Sequence, residues 1–479
     1  MKILVIGLDC AAPELLLGDE RLVNVRRLMA MGAYGRLESV IPPITVPAWM
    51  CLATSQDPGS LGVYGFRNRT DHSYSGLGIV NSRSIQELTI WDQLAREGKR
   101  SVIIGVPPNF PPRKVNGVSV GCFLTPDPKT DAYTWPPEVK AEIASVVEDY
   151  EVDVKGFRTG DKSWLRDGIF RMSRKFFTVV RHFVARGDWD YLQCVDIGLD
   201  RVHHGFWRYH DPQHVLHEPD SPFKDVIRDY YLHLDEEIGR VLELISDDTI
   251  VLVVSDHGAQ RLDGGFCVNE WLVREGLLAL RQYPDEVTPF GKLSVDWGKT
   301  RVWSEGGYYA RVFFNVKGRE PEGQVEPGEY EAFRDEMKAR LEAVIPGTLV
   351  FKPEELYRNI RNVAPDLIVH FGGLYYRSIG GVGYQGELII QENDTGPDDC
   401  NHAQYGAFIL AAPHIPSRGE VEGARLLDLS PTLLTMAGFD VPSSMQGRSL
   451  VGPTESGPGY SERGEQEIRD RLSGLGYLG

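Results

Sequence analysis

Thr249-Ile-Val-Leu-Val-Val-Ser-Asp-His-Gly258 is the stretch from which the fold of this chain can be worked out. Its unbroken run of β-branched and aliphatic residues has the length of a strand and predicts one that is buried on both faces. Asp256 and His257 then fall just past the carboxyl end of that strand. In an open parallel α/β sheet this edge is where ligands bind, and both side chains are good metal ligands. The alternative is a turn with incidental polar residues, so matching ligands elsewhere decide between the two.

The composition limits the class of protein. With 479 residues, of which 42% are hydrophobic, the chain can bury a large core and is too long for a single minimal domain. A formal net charge of -17 argues against general nucleic-acid or anionic-membrane binding, although a metal ion can reverse the local field for a phosphate substrate. No apolar run is long enough to span a membrane, and the first residues lack the pattern of a signal peptide. The six scattered cysteines, without a CxxC pair, are expected to be reduced and mostly buried in a cytoplasmic protein.

Two candidate residues lie near the start of the chain. The aliphatic run 2–8 predicts a strand that delivers Asp9 at its end, where Asp9 could equally be a helix N-cap. Thr45 is predicted at or just before a helix N-terminus, with Pro47 in the first turn. There its hydroxyl meets free backbone N–H groups and the positive end of the helix dipole, which suits a developing alkoxide or a bound phosphate. A hydroxyl is a poor nucleophile unless a base or a metal helps it to ionise, so Thr45 needs such a partner.

A second ligand pair follows the strand predicted at 189–195. Asp200 and His204 are four residues apart, so on a helix they share one face and can hold one ion. Such a pair is also common on an exposed helix surface. Asp196 and His203 compete for the role. We prefer Asp200 with His204 because these two lie on the same face of a helix, whereas Asp196 is expected one residue beyond the strand.

The periodicity predicts alternating strands and helices, and hence a mostly parallel sheet. We predict helices over 84–97, 169–185, 224–245, 329–344 and 427–436, and strands over 2–8, 101–105, 189–195, 249–255, 308–316, 365–371 and 405–411. The strand at 365–371 is assigned to the central sheet. His402 falls in a polar loop predicted over 393–402, where a histidine is most often solvated.

The same pattern suggests how the chain is divided. The prolines after residue 107 predict that the chain leaves the sheet there. We expect core segments at 1–106, 166–258 and 351–451, insertions able to cap the sheet edge at 107–165 and 259–350, and a polar C-terminal tail at 452–479.

The order of these motifs resembles that of the alkaline phosphatase superfamily, most closely its type I phosphodiesterase/nucleotide pyrophosphatase branch. The resemblance runs from residue 3 to about residue 450 and is carried by Asp9, Thr45-Val-Pro47, Asp200-x-x-x-His204, Asp256-His257-Gly258 and the late His402. It implies an α/β fold with a mostly parallel central sheet flanked by helices and with inserted cap segments over the metals.

The resemblance also implies a set of site residues. One divalent ion would be held by Asp200, His204 and His402, and a second by Asp9, Asp256 and His257, with Thr45 as the nucleophile on the second ion. Histidine ligands favour zinc over manganese, although mixed Asp/His sites take either metal. Such a site stabilises both the attacking and the leaving oxygen of an in-line displacement, so a phospho-threonine intermediate can form without a general-base side chain.

We therefore expect a metal-dependent hydrolase of small phosphate esters, in the first place a phosphodiesterase. A phosphomonoesterase, a phosphotransferase or mutase with the same site, and a non-catalytic phosphate-binding protein are the alternatives. Ala48 and the segment 64–67 stand where nucleotide pyrophosphatases carry asparagines, so a nucleotide substrate is not implied. Arg67 or Arg69 could supply a guanidinium for phosphate instead. The candidate substrate-binding residues are Phe66, Arg67 and Trp207, and the leaving group and the oligomeric state stay open.

Overall fold

The computed structural model describes residues 1–393, 395–412 and 419–451, so the predicted tail at 452–479 lies outside the described residues. The strands are β1 (Ile3–Leu8), β2 (Gly32–Glu38), β3 (Arg67–Arg69), β4 (Leu77–Ile79), β5 (Ser101–Ile104), β6 (Gly117–Val120), β7 (Thr134–Trp135), β8 (Tyr191–Asp196), β9 (Ile250–Val254), β10 (Gly258–Arg261), β11 (Gly264–Cys267), β12 (Val302–Glu305), β13 (Ala310–Phe314), β14 (Leu349–Phe351), β15 (Leu367–His370), β16 (Tyr376–Ile379), β17 (Ile389–Ile390), β18 (Cys400–Ala403), β19 (Tyr405–Ala411), β20 (Gly419–Glu420) and β21 (Ala424–Arg425). The α-helices are α1 (Pro13–Leu16), α2 (Val23–Met31), α3 (Thr45–Thr54), α4 (Pro58–Leu61), α5 (Ile90–Arg96), α6 (Val139–Val146), α7 (Lys162–Arg186), α8 (Gly198–His210), α9 (Val226–Leu242), α10 (Val268–Arg274), α11 (Tyr330–Glu342), α12 (Pro353–Leu356) and α13 (Leu429–Met436).

A ten-stranded sheet forms the centre of the fold. Its strands follow the order β20-β2-β19-β9-β1-β8-β5-β6-β7, with β21 beside β2. The five strands from β9 to β6 are parallel to one another. β19 runs antiparallel to both of its neighbours, β9 and β2. The predicted α/β fold with a mostly parallel central sheet is therefore confirmed.

Alternating side chains bury both faces of this sheet under helices. From β1, Leu4, Ile6 and Leu8 pack in one core cluster together with residues of α2, α7, α8 and α9. Ile3 and Val5 point the other way and pack with residues of α3, α5 and α13. Because successive strand residues face opposite sides, a strand covered by helices on both faces is apolar throughout. This explains the uninterrupted aliphatic runs of β1 and β9.

A second, four-stranded antiparallel sheet has a hydrophobic core of its own. It follows the order β12-β13-β15-β14, and its core includes Phe266, Trp303, Phe313 and Leu367. The strand predicted at 365–371 forms, as β15, but pairs with β13 and β14. Its assignment to the central sheet is wrong, because a short apolar run looks the same in any strand that is buried on both faces.

Two further predictions need correction. The helix predicted over 84–97 begins only at Ile90, because Thr89 caps it: the Thr89 side chain accepts a hydrogen bond from the Asp92 N–H, and the Asp92 side chain accepts one from the Thr89 N–H. The proline-rich range 107–165 does not simply leave the central sheet. It contributes β6 and β7 to the edge of that sheet, and these strands are too short to stand out among the turn residues.

Two features of the described residues concern the cysteines and the length of the helices. All six cysteines are buried, as predicted. Among the helices of the described ranges, none combines the length and the apolar character needed to cross a membrane.

Candidate metal centre

Three neighbouring parallel strands deliver candidate ligands to one edge of the central sheet. Asp9 follows β1, Asp256 and His257 follow β9, and α8, which carries Asp200 and His204, begins two residues after β8. Since β9, β1 and β8 are adjacent and parallel, their carboxyl ends meet at the same edge. The sequence therefore brings these five residues to one place by its topology alone.

His402 reaches this edge from a strand and not from the loop that was predicted. It lies in β18, which pairs antiparallel with β10, so that Ala259 and His402 are opposite each other. Because β10 begins at Gly258, directly after the Asp256-His257 pair, the ladder holds His402 beside that pair. The polar composition of 393–402 hides a strand of only four residues.

Four buried residues form the first ligand group: Cys10, Asp200, His204 and His402. One possible ligand atom from each lies within 4.8 Å of the others. His204 Nε2 lies 3.3 Å from Asp200 Oδ1 and 3.4 Å from His402 Nε2. His402 Nε2 is 3.7 Å from the same Asp200 oxygen. Three of these residues are those expected to hold one ion, and Cys10 is an addition that the sequence did not suggest.

Asp9, Asp256 and His257 form the second ligand group. His257 Nε2 is 3.3 Å from Asp256 Oδ2 and 3.7 Å from Asp9 Oδ1. Thr45 is the first residue of α3, as predicted, and its Oγ1 lies 3.3 Å from His257 Nε2 and 3.5 Å from Asp9 Oδ1. The rings of His257 and His402 are stacked with centroids 3.9 Å apart, so the two groups adjoin.

The electrostatics of the cluster favour cation binding. Burial raises the pKa of Asp9 and Asp256 well above the usual carboxyl value, and nearby carboxylates raise both further. Burial lowers the pKa of His257 to about 4 and that of His402 well below its usual value, which keeps both rings neutral. Asp256 Oδ2 is buried without a hydrogen-bond partner among the described residues. Burial lowers the pKa of His204, but Tyr308, Asp398 and Asp200 raise it well above its usual value overall. Crowded carboxylates and the neutral rings of His257 and His402 fit divalent ions, and His204 would give up a proton to join them.

Hydrogen-bond acceptors orient the three histidines. His204 Nδ1 lies 2.6 Å from Asp398 Oδ1, His402 Nδ1 lies 2.9 Å from the Pro43 carbonyl, and His257 Nδ1 lies 3.1 Å from the Gly258 carbonyl. An Nδ1–H that donates to such an acceptor leaves Nε2 as the free lone pair facing the cluster. Sequence reasoning missed Asp398, although it lies within the polar segment that leads to His402.

Trp49 and Arg201 hold two of the carboxylates. Trp49 Nε1–H donates to Asp9 Oδ2 at 2.7 Å, and Arg201 Nη1 donates to Asp200 Oδ2 at 2.6 Å. Each contact fixes one carboxylate oxygen and leaves the other for an ion. The only sequence signal for Arg201 was its place next to Asp200, and Trp49 lies one helical turn after Thr45.

Both ranges that were predicted to be insertions reach the centre. From 107–165, Asp153 accepts two hydrogen bonds from Arg201, each of 2.8 Å. From 259–350, the ring of Tyr308 stacks on His402 with centroids 4.4 Å apart and lies 4.9 Å from the His204 ring. The segment 259–350 thus packs against two candidate ligands, while 107–165 holds Arg201, which donates to Asp200.

The predicted phosphate-binding arginines differ in their surroundings. Arg67 is half-exposed and lies 3.5 Å from Glu305, with the half-buried Phe66 beside it in the chain. Arg69 is buried and paired with Glu320 at 3.2 Å, so its guanidinium is already occupied. Of the two, only Arg67 is available to a ligand.

Trp207 is buried in α8 beside His203. It is 7% exposed, its ring packs 5.1 Å from the His203 ring, and its indole N–H donates to Asp211. These contacts bury Trp207 among its neighbours, and its role in a substrate pocket stays a prediction. The competing Asp196 is the last residue of β8 and accepts a hydrogen bond of 2.8 Å from Tyr230.

Comparisons with known proteins agree with this architecture. The family model described as type I phosphodiesterase/nucleotide pyrophosphatase matches residues 3–386. A crystal structure of phosphonoacetate hydrolase from Sinorhizobium meliloti 1021 in complex with phosphonoformate has a similar fold, with a TM-score of 0.58 and 16% identity over 90% of this chain and 94% of that chain. Human ectonucleotide pyrophosphatase/phosphodiesterase 5 matches with a TM-score of 0.51 and 14% identity over 94% of this chain and 97% of that chain. No curated protein matches the chain by sequence.

Proposed function

The chain belongs to the type I phosphodiesterase/nucleotide pyrophosphatase family of the alkaline phosphatase superfamily, and as a member it is a metal-dependent phosphoester hydrolase; we propose that it is a phosphodiesterase whose nucleophile is Thr45. One observation carries this proposal. Thr45 Oγ1 stands at the first turn of α3, within 3.5 Å of both Asp9 Oδ1 and His257 Nε2. A hydroxyl beside a cation-binding group is the arrangement that ionises a threonine.

We propose two divalent ions, zinc by preference and manganese as the alternative. One would be held by Asp200, His204 and His402, and the other by Asp9, Asp256 and His257. When bound, the ions supply Lewis acidity, which lowers the pKa of the Thr45 hydroxyl and neutralises charge on the phosphate oxygens.

The reaction that we propose proceeds through a covalent intermediate on Thr45. A bond forms between Thr45 Oγ and phosphorus while the bond from phosphorus to the leaving alkoxide breaks, and the threonine proton ends on that alkoxide. Water then attacks phosphorus and releases a phosphomonoester, which restores the threonine. The N-terminus of α3 contributes its positive dipole end to the oxygens that carry negative charge during both steps.

The substrate is proposed to lie under the two inserted segments. Tyr308 of 259–350 stacks on His402, and Asp153 of 107–165 accepts from Arg201, which holds Asp200. Arg67 is the cation that we propose for a phosphate oxygen, because it is half-exposed and only loosely paired. Phe66 would lie beside it against an apolar part of the leaving group.

Replacement of Thr45 tests the nucleophile. Thr45→Ala should lower kcat by roughly 10³-fold or more, the order of loss expected when a nucleophile is removed, whereas Thr45→Ser should keep measurable turnover. Thr54→Ala is the matched control, because Thr54 is also buried and in α3 but donates to the Met50 carbonyl at the far end of the helix. Acid quench during turnover, followed by mass spectrometry, should find the substrate phosphoryl group on the Thr45 peptide. Full activity of Thr45→Ala with bound metal would reject the mechanism.

A substrate panel separates the possible reactions. Metal-reconstituted enzyme should hydrolyse aryl phosphodiesters faster than the matching aryl phosphomonoesters. The reverse order would favour a monoesterase, and transfer of the phosphoryl group to an added alcohol would favour a phosphotransferase. Turnover of none of these substrates by metal-loaded wild-type protein would contradict both enzyme assignments.

A further inference from the structure

Cys10 lies within the first ligand group although it belongs to the chain segment that serves the second. Its Sγ is within 4.8 Å of the ligand atoms of Asp200, His204 and His402, and its side chain is fully buried. We propose that Cys10 is a fourth, thiolate ligand of the ion held by these three residues. The proposal rests on metal binding as described under the proposed function and adds a residue to it.

The donor atoms around Cys10 converge as those of an ion site do. His204 Nε2 and His402 Nε2 face each other at 3.4 Å, and Asp200 Oδ1 lies within 3.7 Å of both. In the adjoining group, the fully buried Asp256 Oδ2 has no hydrogen-bond partner among the described residues. The convergence of these atoms fits a cation between the side chains, and Cys10 Sγ belongs to the set that surrounds that position.

The backbone explains how adjacent residues can serve two ions. Cys10 has a φ of 68°, in the left-handed region that cysteine rarely adopts. Its N–H donates to Asp256 Oδ1 at 3.2 Å, which fixes this turn against the second group. Asp9 belongs to the second group, while Cys10 Sγ belongs to the first and also donates to the Gly258 carbonyl at 3.4 Å. Cys10 thus holds a strained backbone conformation that a glycine at the same position would adopt without strain.

Thiolate ligation has consequences for the choice of metal. Coordination replaces the S–H bond by a sulfur–metal bond and releases the proton to solvent. Two imidazoles, one carboxylate and one thiolate would make a donor set that suits zinc, whereas manganese and magnesium prefer oxygen ligands. The first site should therefore discriminate against manganese more strongly than a site built from Asp and His alone.

Cobalt substitution tests the ligand directly. Metal-free protein, kept reduced with a phosphine, is titrated with Co²⁺ and its absorption is recorded. Wild type should develop both visible d–d bands and a near-ultraviolet sulfur-to-cobalt charge-transfer band. Cys10→Ser should keep the d–d bands and lose the charge-transfer band. Cys51→Ser is the matched control and should keep both, because Cys51 is equally buried but packs in the other core cluster, outside the ligand group.

Affinity and stability give a second readout. Cys10→Gly should fold, since glycine favours this φ, and its metal-free form should melt no lower than that of wild type. Its zinc affinity at the first site should nevertheless fall by at least the roughly tenfold that even an outer-sphere change costs. Visible bands without a charge-transfer band in wild type, or unchanged zinc affinity in Cys10→Gly, would overturn the role of Cys10 and leave the two-metal proposal intact. Failure of wild type to bind Co²⁺ or zinc at all would overturn the two-metal function as well.

Discussion

At the scale of single residues, the Trp49 indole decides how Asp9 presents its carboxylate. Trp49→Phe keeps an aromatic ring in the core but removes the N–H that donates to Asp9 Oδ2. The free oxygen of Asp9 is then no longer fixed, and we expect metal affinity at the second site to fall roughly 10- to 100-fold. Competition with a chromophoric chelator would measure this loss. Trp91→Phe is the control, because Trp91 packs in the same core cluster, and equal losses in both variants would contradict the role of Trp49.

Asp398 positions a candidate ligand of the first site, as Trp49 does at the second. Its Oδ1 lies 2.6 Å from His204 Nδ1, and its Oδ2 is paired with Arg377 at 3.3 Å. Asp398→Asn removes the charge that holds the Nδ1–H tautomer of His204, so zinc affinity of the first site should fall roughly 10- to 100-fold.

The control for Asp398 is another buried carboxylate in an arginine pair. Asp366 is bound by Arg319 at 2.7 Å, in the contacts of the four-stranded sheet. Asp366→Asn should lower the melting temperature without changing zinc affinity. A fall in zinc affinity of the same size in both variants would mean that Asp398 acts through general stability and does not orient His204.

The sequence predicted which residues cluster at the candidate site much better than it predicted the residues that hold them in place. Asp9, Asp256 and Asp200 follow strands, so their positions come from topology and can be inferred from periodicity. Asp398 and Trp49 act through contacts with residues 194 and 40 positions away in the chain. Such contacts depend on packing in three dimensions, and neither residue carries a local pattern that marks it as part of a site.

At the scale of elements, the approach of α3 to β1 depends on Gly7. A Cβ at this position would lie 2.5 Å from Cη2 of Trp49 and 2.9 Å from the Cys194 carbonyl oxygen. Gly7→Ala should therefore push the helix from the strand, cost about 1–3 kcal/mol of unfolding free energy and weaken metal binding at the second site. Thermal unfolding and chelator competition measure the two effects.

Gly160→Ala provides the matched control for Gly7→Ala. A Cβ at Gly160 would meet no atom within 4 Å among those the structure describes, so stability and metal affinity should both be unchanged. Unchanged metal affinity in Gly7→Ala would show that the indole of Trp49 can shift without disturbing Asp9. A glycine inside an apolar strand was a usable signal of this close approach.

Element boundaries were predictable where a cap or a long apolar run marks them. The helix start at Thr45 and the end of β9 before Asp256 came from such signals. The strand that carries His402 did not, because the four residues Cys400-Asn-His-Ala403 have no period-two apolar pattern. Pairing with β10 is a long-range contact, and it alone turns this segment from a loop into a strand.

At the scale of the whole molecule, periodicity predicted the parallel core but not how many sheets the chain makes. The run from Leu367 to His370 is as apolar as the central strands, yet it pairs in the second sheet. Strand partners are selected by the packing of distant segments, so the same local pattern allows both outcomes. The fold class was therefore within reach of the sequence, while the placement of β15 and of β6 was not.

The two ligand groups join distant parts of the molecule, so removal of metal should lower the stability of the whole core. Ligands come from the ends of β1 and β9, from α8 and from β18, and the ions are expected to bind the folded chain and not the separated segments. At free zinc about 100 times Kd, each independent site adds roughly 2.7 kcal/mol to the unfolding free energy, or about 5 kcal/mol for two sites. Scanning calorimetry with zinc and after chelation should therefore give clearly separated melting temperatures. Asp256→Asn should lose part of this zinc-dependent increase, Thr54→Ala should keep all of it, and a wild-type melting temperature that does not respond to chelation would contradict metal binding by either group.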